Sequence, residues 1–134
     1  MEKRQPLKRD PALIPLSREH HKGLILAQLL KSDVPDYKGL PSDIPGKVAY
    51  AKMEYEQWLK AHFEREEQWL VPLSQGQDQA LTEMAERVVT EHEIIRTAIT
   101  RLDADASSET LDALGRLLER HIRFEEREWF RALQ

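Results

Sequence analysis

The chain has 134 residues, 33% charged and 40% hydrophobic, with a net charge of −4 and no cysteine. That size fits one domain, expected to span residues 1–134 with 1–15 as an N-terminal extension, and the missing thiol excludes disulfides, thiolate nucleophiles, zinc fingers and iron–sulfur clusters. Acids and bases are interleaved rather than gathered in a basic stripe, which argues against nucleic acid as a partner, and no apolar run approaches the roughly 20 residues that cross a bilayer. Met1 to Arg9 is basic and polar with no apolar stretch behind it, so we expect no secretory leader, no membrane partner and a cytoplasmic location.

Four helical segments succeed one another, with no convincing strand. The first is predicted from Ser17, an N-cap candidate after Pro15, to Leu30. Residues 32–46 hold Pro35, Pro41, Pro45, Gly39 and Gly46, and read as a long irregular connection that is also a candidate partner surface. The second segment is predicted over Lys47 to Leu70, stopped by Pro72, with Tyr55, Trp58, Leu59, Trp69, Leu70 and Leu73 on its apolar stripe. A short loop around Ser74–Asp78 leads to the third, Gln79 to Leu102, striped by Leu81, Met84, Ala85, Val88, His92, Ile95 and Ile99. After a turn at Asp103–Ser108 the fourth runs from Glu109 to Ala132, striped by Leu111, Leu114, Leu117, Leu118, His121, Phe124, Glu125 and Trp129. Four amphipathic helices in this order predict an all-α, up-down-up-down four-helix bundle.

Polar residues interrupt these stripes in a pattern. All five histidines lie in the four helical segments, and two segments carry His-x-x-x-Glu: His62 with Glu66, and His121 with Glu125. Residues i and i+4 share a helix face, so each phrase aims one imidazole and one carboxylate the same way. A buried charge is costly unless paired or coordinated, and a divalent ion would resolve the burial of Glu66 and Glu125 together. With His92 on the third segment and His20 or His21 on the first, the set is four imidazoles and two carboxylates, enough for two ions with positions left open. His20 is favoured over His21, because the stripe Leu13, Leu16, Leu24, Ala27 and Leu30 centres nearer to it; His21 then lies beside the ligands and is the candidate proton donor. Glu125 is favoured over Glu126, because it parallels Glu66.

A lone histidine on an apolar face is ordinarily a hydrogen-bonded core residue; four on four helices point to metal instead. Glu64, Glu67, Glu126 and Glu128 with Arg65, Arg123 and Arg127 read as solvated outer faces. Trp58, Trp69, Phe124 and Trp129 read as bundle packing that would also wall the metals, and Tyr55 as core. Ferritin-like bundles use Glu-x-x-His, but here Ser17, Arg18, Leu59, Val89 and Leu118 stand three residues before the histidines. His92-Glu93-Ile94-Ile95 begins a zinc-protease phrase but ends at Arg96.

The stretches SREHHKGLILAQLL, HFEREEQWLVPL, TEHEIIRTAI and ERHIRFEEREWF resemble, in order, those of the hemerythrin-like or HHE cation-binding family. The resemblance implies a four-helix bundle with a non-haem diiron centre, two iron ions bridged by oxide or hydroxide and by carboxylates. Its ligands by position would be His20 or His21, His62, Glu66, His92, His121 and Glu125. Oxygen-carrying hemerythrins place a fifth ligand histidine where this chain has Arg96; a set of four histidines and two glutamates looks more like bacterial members linked to iron–sulfur repair and to nitric oxide or iron handling. Arg96 is expected to snorkel outward. The function expected is binding or sensing of O2, NO or peroxide, or a part in iron homeostasis or stress response. The alternative is a metal-responsive interaction module without redox turnover. Zinc and manganese suit the same ligands.

Overall fold

The computed structural model describes residues 10–36, 39–76 and 78–134, which form a four-helix bundle with no strand among them. α1 is Ile14–Leu30. α2 covers 44–74, with α-helical stretches Ile44–Glu54, Lys60–Arg65 and Val71–Ser74 joined by π-helical turns at Tyr55–Leu59 and Glu66–Leu70. α3 is Gln79–Arg101. α4 covers 108–133, as Ser108–Phe124, a third π turn at Glu125–Trp129, and Phe130–Leu133. The all-α bundle expected from the sequence is therefore present.

Several boundaries differ for physical reasons. α1 starts at Ile14, inside the stretch 1–15 expected as an extension, of which residues 1–9 lie outside the described ones. Ser17, expected as the cap, sits within the helix and donates from Oγ to Glu126 Oε2 at 3.1 Å. The extra turn has no side-chain cap, but it buries Leu13 and Leu16. Burial of about 1.5–3 kcal/mol per leucine outweighs a cap of about 1 kcal/mol. Pro72 does not stop α2. It lies in the first turn of the segment after a π turn, a first-turn position of the kind that tolerates proline. The connection before α2 shortens to 31–43, because Pro45 opens the helix and Gly46 continues it; residues 37 and 38 lie outside the described ones. α3 and α4 are capped by side chains: Asp78 accepts from the Leu81 amide at 2.7 Å, and Ser107 from the Thr110 amide at 3.1 Å.

Neighbouring helices run antiparallel in an up-down-up-down order. Along α1 and α4, Ser17 meets Glu126, His20 meets Glu125 and Lys31 meets Glu119. Along α2 and α3, Lys52 meets the Thr100 carbonyl and Glu67 meets His92. Along α3 and α4, Arg87 covers the Phe124 ring and Glu91 meets His121. Two glycines bring α1 and α4 together. A Cβ on Gly115 would stand 2.7 Å from the Ala27 carbonyl oxygen, and one on Gly23 would stand 2.5 Å from Ile122 Cδ1.

The apolar interior is in two parts. One contains Leu26, Leu30, Leu59, Ile95, Ile99 and Leu118; the other contains Leu16, Leu70, Val88, Phe124, Trp129 and Phe130. The change from one part to the other falls around the histidines: across His20 on α1 and His92 on α3, after Phe63 beside His62 on α2, and after Ile122 beside His121 on α4. The π turns set which side chains come next to face inward. In each, an amide bonds five residues back, Val71 to Glu66 and Phe130 to Glu125. One extra residue per turn rotates the remainder of the helix by about 100° relative to an unbroken α-helix. Leu70, Val71 and Ser74 therefore face the core, while Trp69 and Leu73, expected inside, are 58% and 57% exposed. Trp58, Phe124, Trp129 and Tyr55 are buried as expected.

The close approach of α1 and α4 predicts opposite outcomes for two similar changes. Gly115→Ala pushes a methyl into backbone and should lose about 1–3 kcal/mol in urea unfolding, despite alanine's better helix propensity of about 1 kcal/mol. Gly23→Ala meets only the tip of a flexible side chain and should be near neutral. Equal stability of the two variants would contradict the asymmetry.

Candidate metal centre

Six buried side chains converge between the two apolar halves. His20 comes from α1, His62 and Glu66 from α2, His92 from α3, and His121 and Glu125 from α4; all are at most 3% exposed. They form two groups that share both carboxylates: His20, His62, Glu66 and Glu125, and Glu66, His92, His121 and Glu125. Within each group one ligand atom per residue lies within 4.8 Å of every other. His21 is on the exposed side of α1 and belongs to neither group. Glu126 also lies outside both groups.

Each carboxylate divides its two oxygens between the groups. Glu66 Oε2 lies 3.2 Å from His62 Nε2, while its Oε1 lies 3.0 Å from His92 Nε2. Glu125 Oε1 lies 2.7 Å from His20 Nε2, while its Oε2 lies 3.0 Å from His121 Nε2 and 3.5 Å from His92 Nε2. All four imidazoles aim Nε2 inward. Five of these buried atoms find no aligned hydrogen-bond partner: both oxygens of Glu66, Glu125 Oε2, and Nε2 of His92 and His121. Buried polar atoms are ordinarily satisfied. Unsatisfied polar atoms of two ligand kinds facing one space fit a cation, and imidazole with carboxylate suits iron, manganese or zinc.

The outward nitrogens are held by a second set of carboxylates, which run in a ring. Glu19 of α1 accepts from His62 Nδ1 on α2 at 2.9 Å. Glu67 of α2 accepts from His92 Nδ1 on α3 at 2.8 Å, and Glu91 of α3 from His121 Nδ1 on α4 at 2.8 Å. Glu126 of α4 closes the circuit, 3.2 Å from His20 Nδ1 on α1. Each helix thus holds the histidine of the next. Such contacts fix the ring orientation and the tautomer that presents Nε2 to a metal. Three of the carboxylates are backed by arginine: Arg65 on Glu19, Arg96 on Glu67 and Arg87 on Glu91. Glu126 receives the Ser17 hydroxyl.

Sequence reasoning placed Glu67, Glu126 and Arg65 on solvated faces, and the structure corrects this. It missed Glu19 and Glu91 altogether. The available signal was a glutamate directly before His20 and His92, and one five residues after His62 and His121. Those positions are roughly a quarter of a turn or more away from the inward face, which turns them towards a neighbouring helix. Arg96 does not enter the cluster; it is 29% exposed and bonds Glu67 and Glu93. The aromatic wall is made by Phe63, stacked on His92 at 3.9 Å, and Phe130, stacked on His20 at 5.2 Å, with the Trp58 edge against His62.

Burial opposes charge on each of these histidines, but the carboxylates override it. His62 is pushed up to about 9 by Glu66 and Glu19, His92 to about 11 by Glu125, Glu66 and Glu67, and His20 and His121 are raised as well. Burial would lift Glu66 and Glu125, and Glu66 also feels Glu125, yet the histidines hold both below the usual carboxylate range. Glu19 likewise sits at about 2, because His62 and Arg65 outweigh its burial.

Residues 13–133 match the model of the hemerythrin HHE cation-binding domain, and the chain belongs to that family. No curated protein and no solved structure matches it. The family and the buried cluster together define a metal-ion-binding domain.

Protein stripped of metal should be most stable from about pH 4.5 to 6.5 in thermal unfolding. Stability from the raised histidines is complete below their ordinary 6.5 and is lost as pH climbs through about 9 for His62 and about 11 for His92. Stability from Glu19 is complete above its ordinary 4.5 and is lost as pH falls to about 2. Metal needs neutral imidazoles, so the gain in melting temperature on adding metal should widen as pH rises. The outer carboxylates are open to a separate test. Glu67→Gln and Glu91→Gln should each weaken metal binding by about 10–100-fold in chelator competition, while exposed Glu64→Gln leaves it unchanged. Equal affinities in all three variants would remove the outer carboxylates from any role in metal retention.

Proposed function

We propose that the chain is a two-iron protein that binds or senses O2, NO or peroxide, or serves iron homeostasis or stress response through the same centre. The observation that carries this reading is the division of the Glu66 and Glu125 oxygens between two histidine pairs, the arrangement that bridging carboxylates require. His20 and His62 would hold one ion, and His92 and His121 the other. Two imidazoles and two carboxylate oxygens would be offered to each ion, a set small enough to leave room for a further small ligand. When bound, the iron pair supplies electrons and a place for that ligand.

The chain's own residues do the rest. Glu19, Glu67 and Glu91 hold the Nδ1 protons of His62, His92 and His121 outside and so keep each Nε2 lone pair inward, and Glu126 stands 3.2 Å from His20 Nδ1. Phe63 and Phe130 cover two imidazole faces and exclude water. His21, the proton-donor candidate, lies outside the cluster, so proton delivery is not assigned to it. No described helix is long and apolar enough to cross a membrane. We place the protein in the cytoplasm and read residues 1–134 as one domain, with neither nucleic acid nor membrane as its partner.

A second reading is a metal-responsive interaction module without turnover. It is favoured by the ring of contacts through all four helices, since metal would tighten every one of them. Zinc or manganese would serve it equally.

Elemental analysis of protein prepared without chelators should find two irons per chain, with a charge-transfer band in the near ultraviolet that responds to O2, NO or peroxide. His62→Ala and His121→Ala should each lower the metal content. Metal-loaded protein blind to all three ligands, but losing about 10 °C or more of melting temperature on chelation, would select the second reading. A fold that carries no metal and is indifferent to chelation would refute both.

A further inference from the structure

Outside the cluster, arginines gather at one place on the surface between α3 and α4. A depression of about 270 Å³ is lined by Arg87, Arg120, Arg123, Phe124, Arg127 and Glu128. Four arginines and a single carboxylate thus line it, in a chain whose net charge is −4. Arg120, Arg123 and Arg127 recur every three or four residues along α4, and Arg87 reaches across from α3. Arg120 and Arg127 make no ion pair among the described residues. Arg123 has only Glu119 at 3.7 Å, a carboxylate already taken by Lys31. Arg87 is held in place, its guanidinium 3.8 Å from the Phe124 ring centre and its Nε 3.2 Å from Glu91.

Lining cations outnumber the lining carboxylate, and Arg120 and Arg127 are without an ion pair among the described residues, so an anion between them would relieve their mutual repulsion. The planar fork of arginine fits the oxygens of phosphate, two at a time. The hollow is local, and the rest of the surface is acidic on balance. A long polyanion would meet that wider repulsion, whereas a small anion senses mainly the nearby charges.

We propose that this depression binds a small phosphate-bearing anion. Arg87 also joins it to the cluster, because Arg87 backs Glu91 and Glu91 holds His121. An anion that draws on Arg87 leaves Glu91 free to pull harder on the His121 Nδ1 proton. The anion site stands on its own geometry; only this link rests on the metal reading above.

The test titrates inorganic phosphate into full-length protein by calorimetry, in chloride buffer at constant ionic strength, with and without metal. Saturable one-to-one binding with a dissociation constant of about 1 mM or lower is expected. Arg120→Gln with Arg127→Gln should weaken it by about tenfold or more, and Glu128→Gln should tighten it. Both arginines are exposed, so the double variant is expected to keep its fold, with helical circular dichroism as the check. Failure to bind, or equal binding by the double variant, overturns the proposal. So does an affinity for single-stranded oligonucleotides that grows with their length, or tight binding of an acidic peptide without phosphate. Co-sedimentation with phosphatidate vesicles, lost in the double variant, would place the phosphate on a lipid headgroup; phosphate binding without co-sedimentation assigns a soluble ester. Phosphate should also change the rate at which zinc-loaded protein yields its metal to a chelator, with the double variant as control for direct extraction. Phosphate binding with an unchanged release rate would remove the link through Arg87, whereas a protein that holds no zinc but binds phosphate would fail the metal reading alone.

Discussion

Everything in this bundle is arranged around the burial of two carboxylates. Glu66 and Glu125 are fully inaccessible to water, close enough to repel one another, and placed where an apolar core would otherwise be continuous. Ionised groups in such a place require opposite charge at hydrogen-bond range, or the fold around them fails. Four imidazoles answer that need from four directions. The answer dictates the rest: which residue of each helix faces inward, where the apolar interior divides, and why the helices meet at one level.

The outer carboxylates extend the same logic by one step. Imidazoles drawn in by Glu66 and Glu125 have their other nitrogen pointing out, at a depth where water is scarce. Each finds a half-buried glutamate on the neighbouring helix, and three of those glutamates find an arginine beyond. Charge alternates outward from the centre to solvent, from carboxylate to imidazole to carboxylate to guanidinium. Networks of this kind are strong when every member is satisfied and costly when one is missing. The inner atoms left without aligned partners are therefore informative, because they are confined to the side that faces the cluster's own centre, apart from His20 Nδ1 and the Trp58 indole.

Much of this was legible in the sequence, because it rests on the α-helical period. Polar residues in apolar stripes located His62, Glu66, His92, His121 and Glu125, and the phase of the first stripe distinguished His20 from His21. Failures came where the period itself changed. Trp69 and Leu73 were phased as though α2 were a single α-helix, but the π turn at Glu66–Leu70 rotates them out of the core. Pro72 read as a stop for the same reason. No residue type announces a π turn, so its position cannot be read from local propensity. Glu67 and Glu126 escaped for a different reason. Charged residues flanking an apolar stripe are ordinarily solvated, and only the neighbouring helix shows that these are not.

The ring of outer glutamates bears on handedness. Four antiparallel helices can wind round a core in either sense, and apolar stripes serve both senses almost equally well. The glutamates do not. On each helix the outer carboxylate lies on the flank facing the next helix in the chain, never the previous one. Reflect the winding, and Glu19 would face α4 instead of α2, with the same exchange at every other corner. All four contacts would be lost together, and four half-buried carboxylates would lose their partners. The circuit that orients the histidines therefore also tells this chain which of two mirror-related bundles to become.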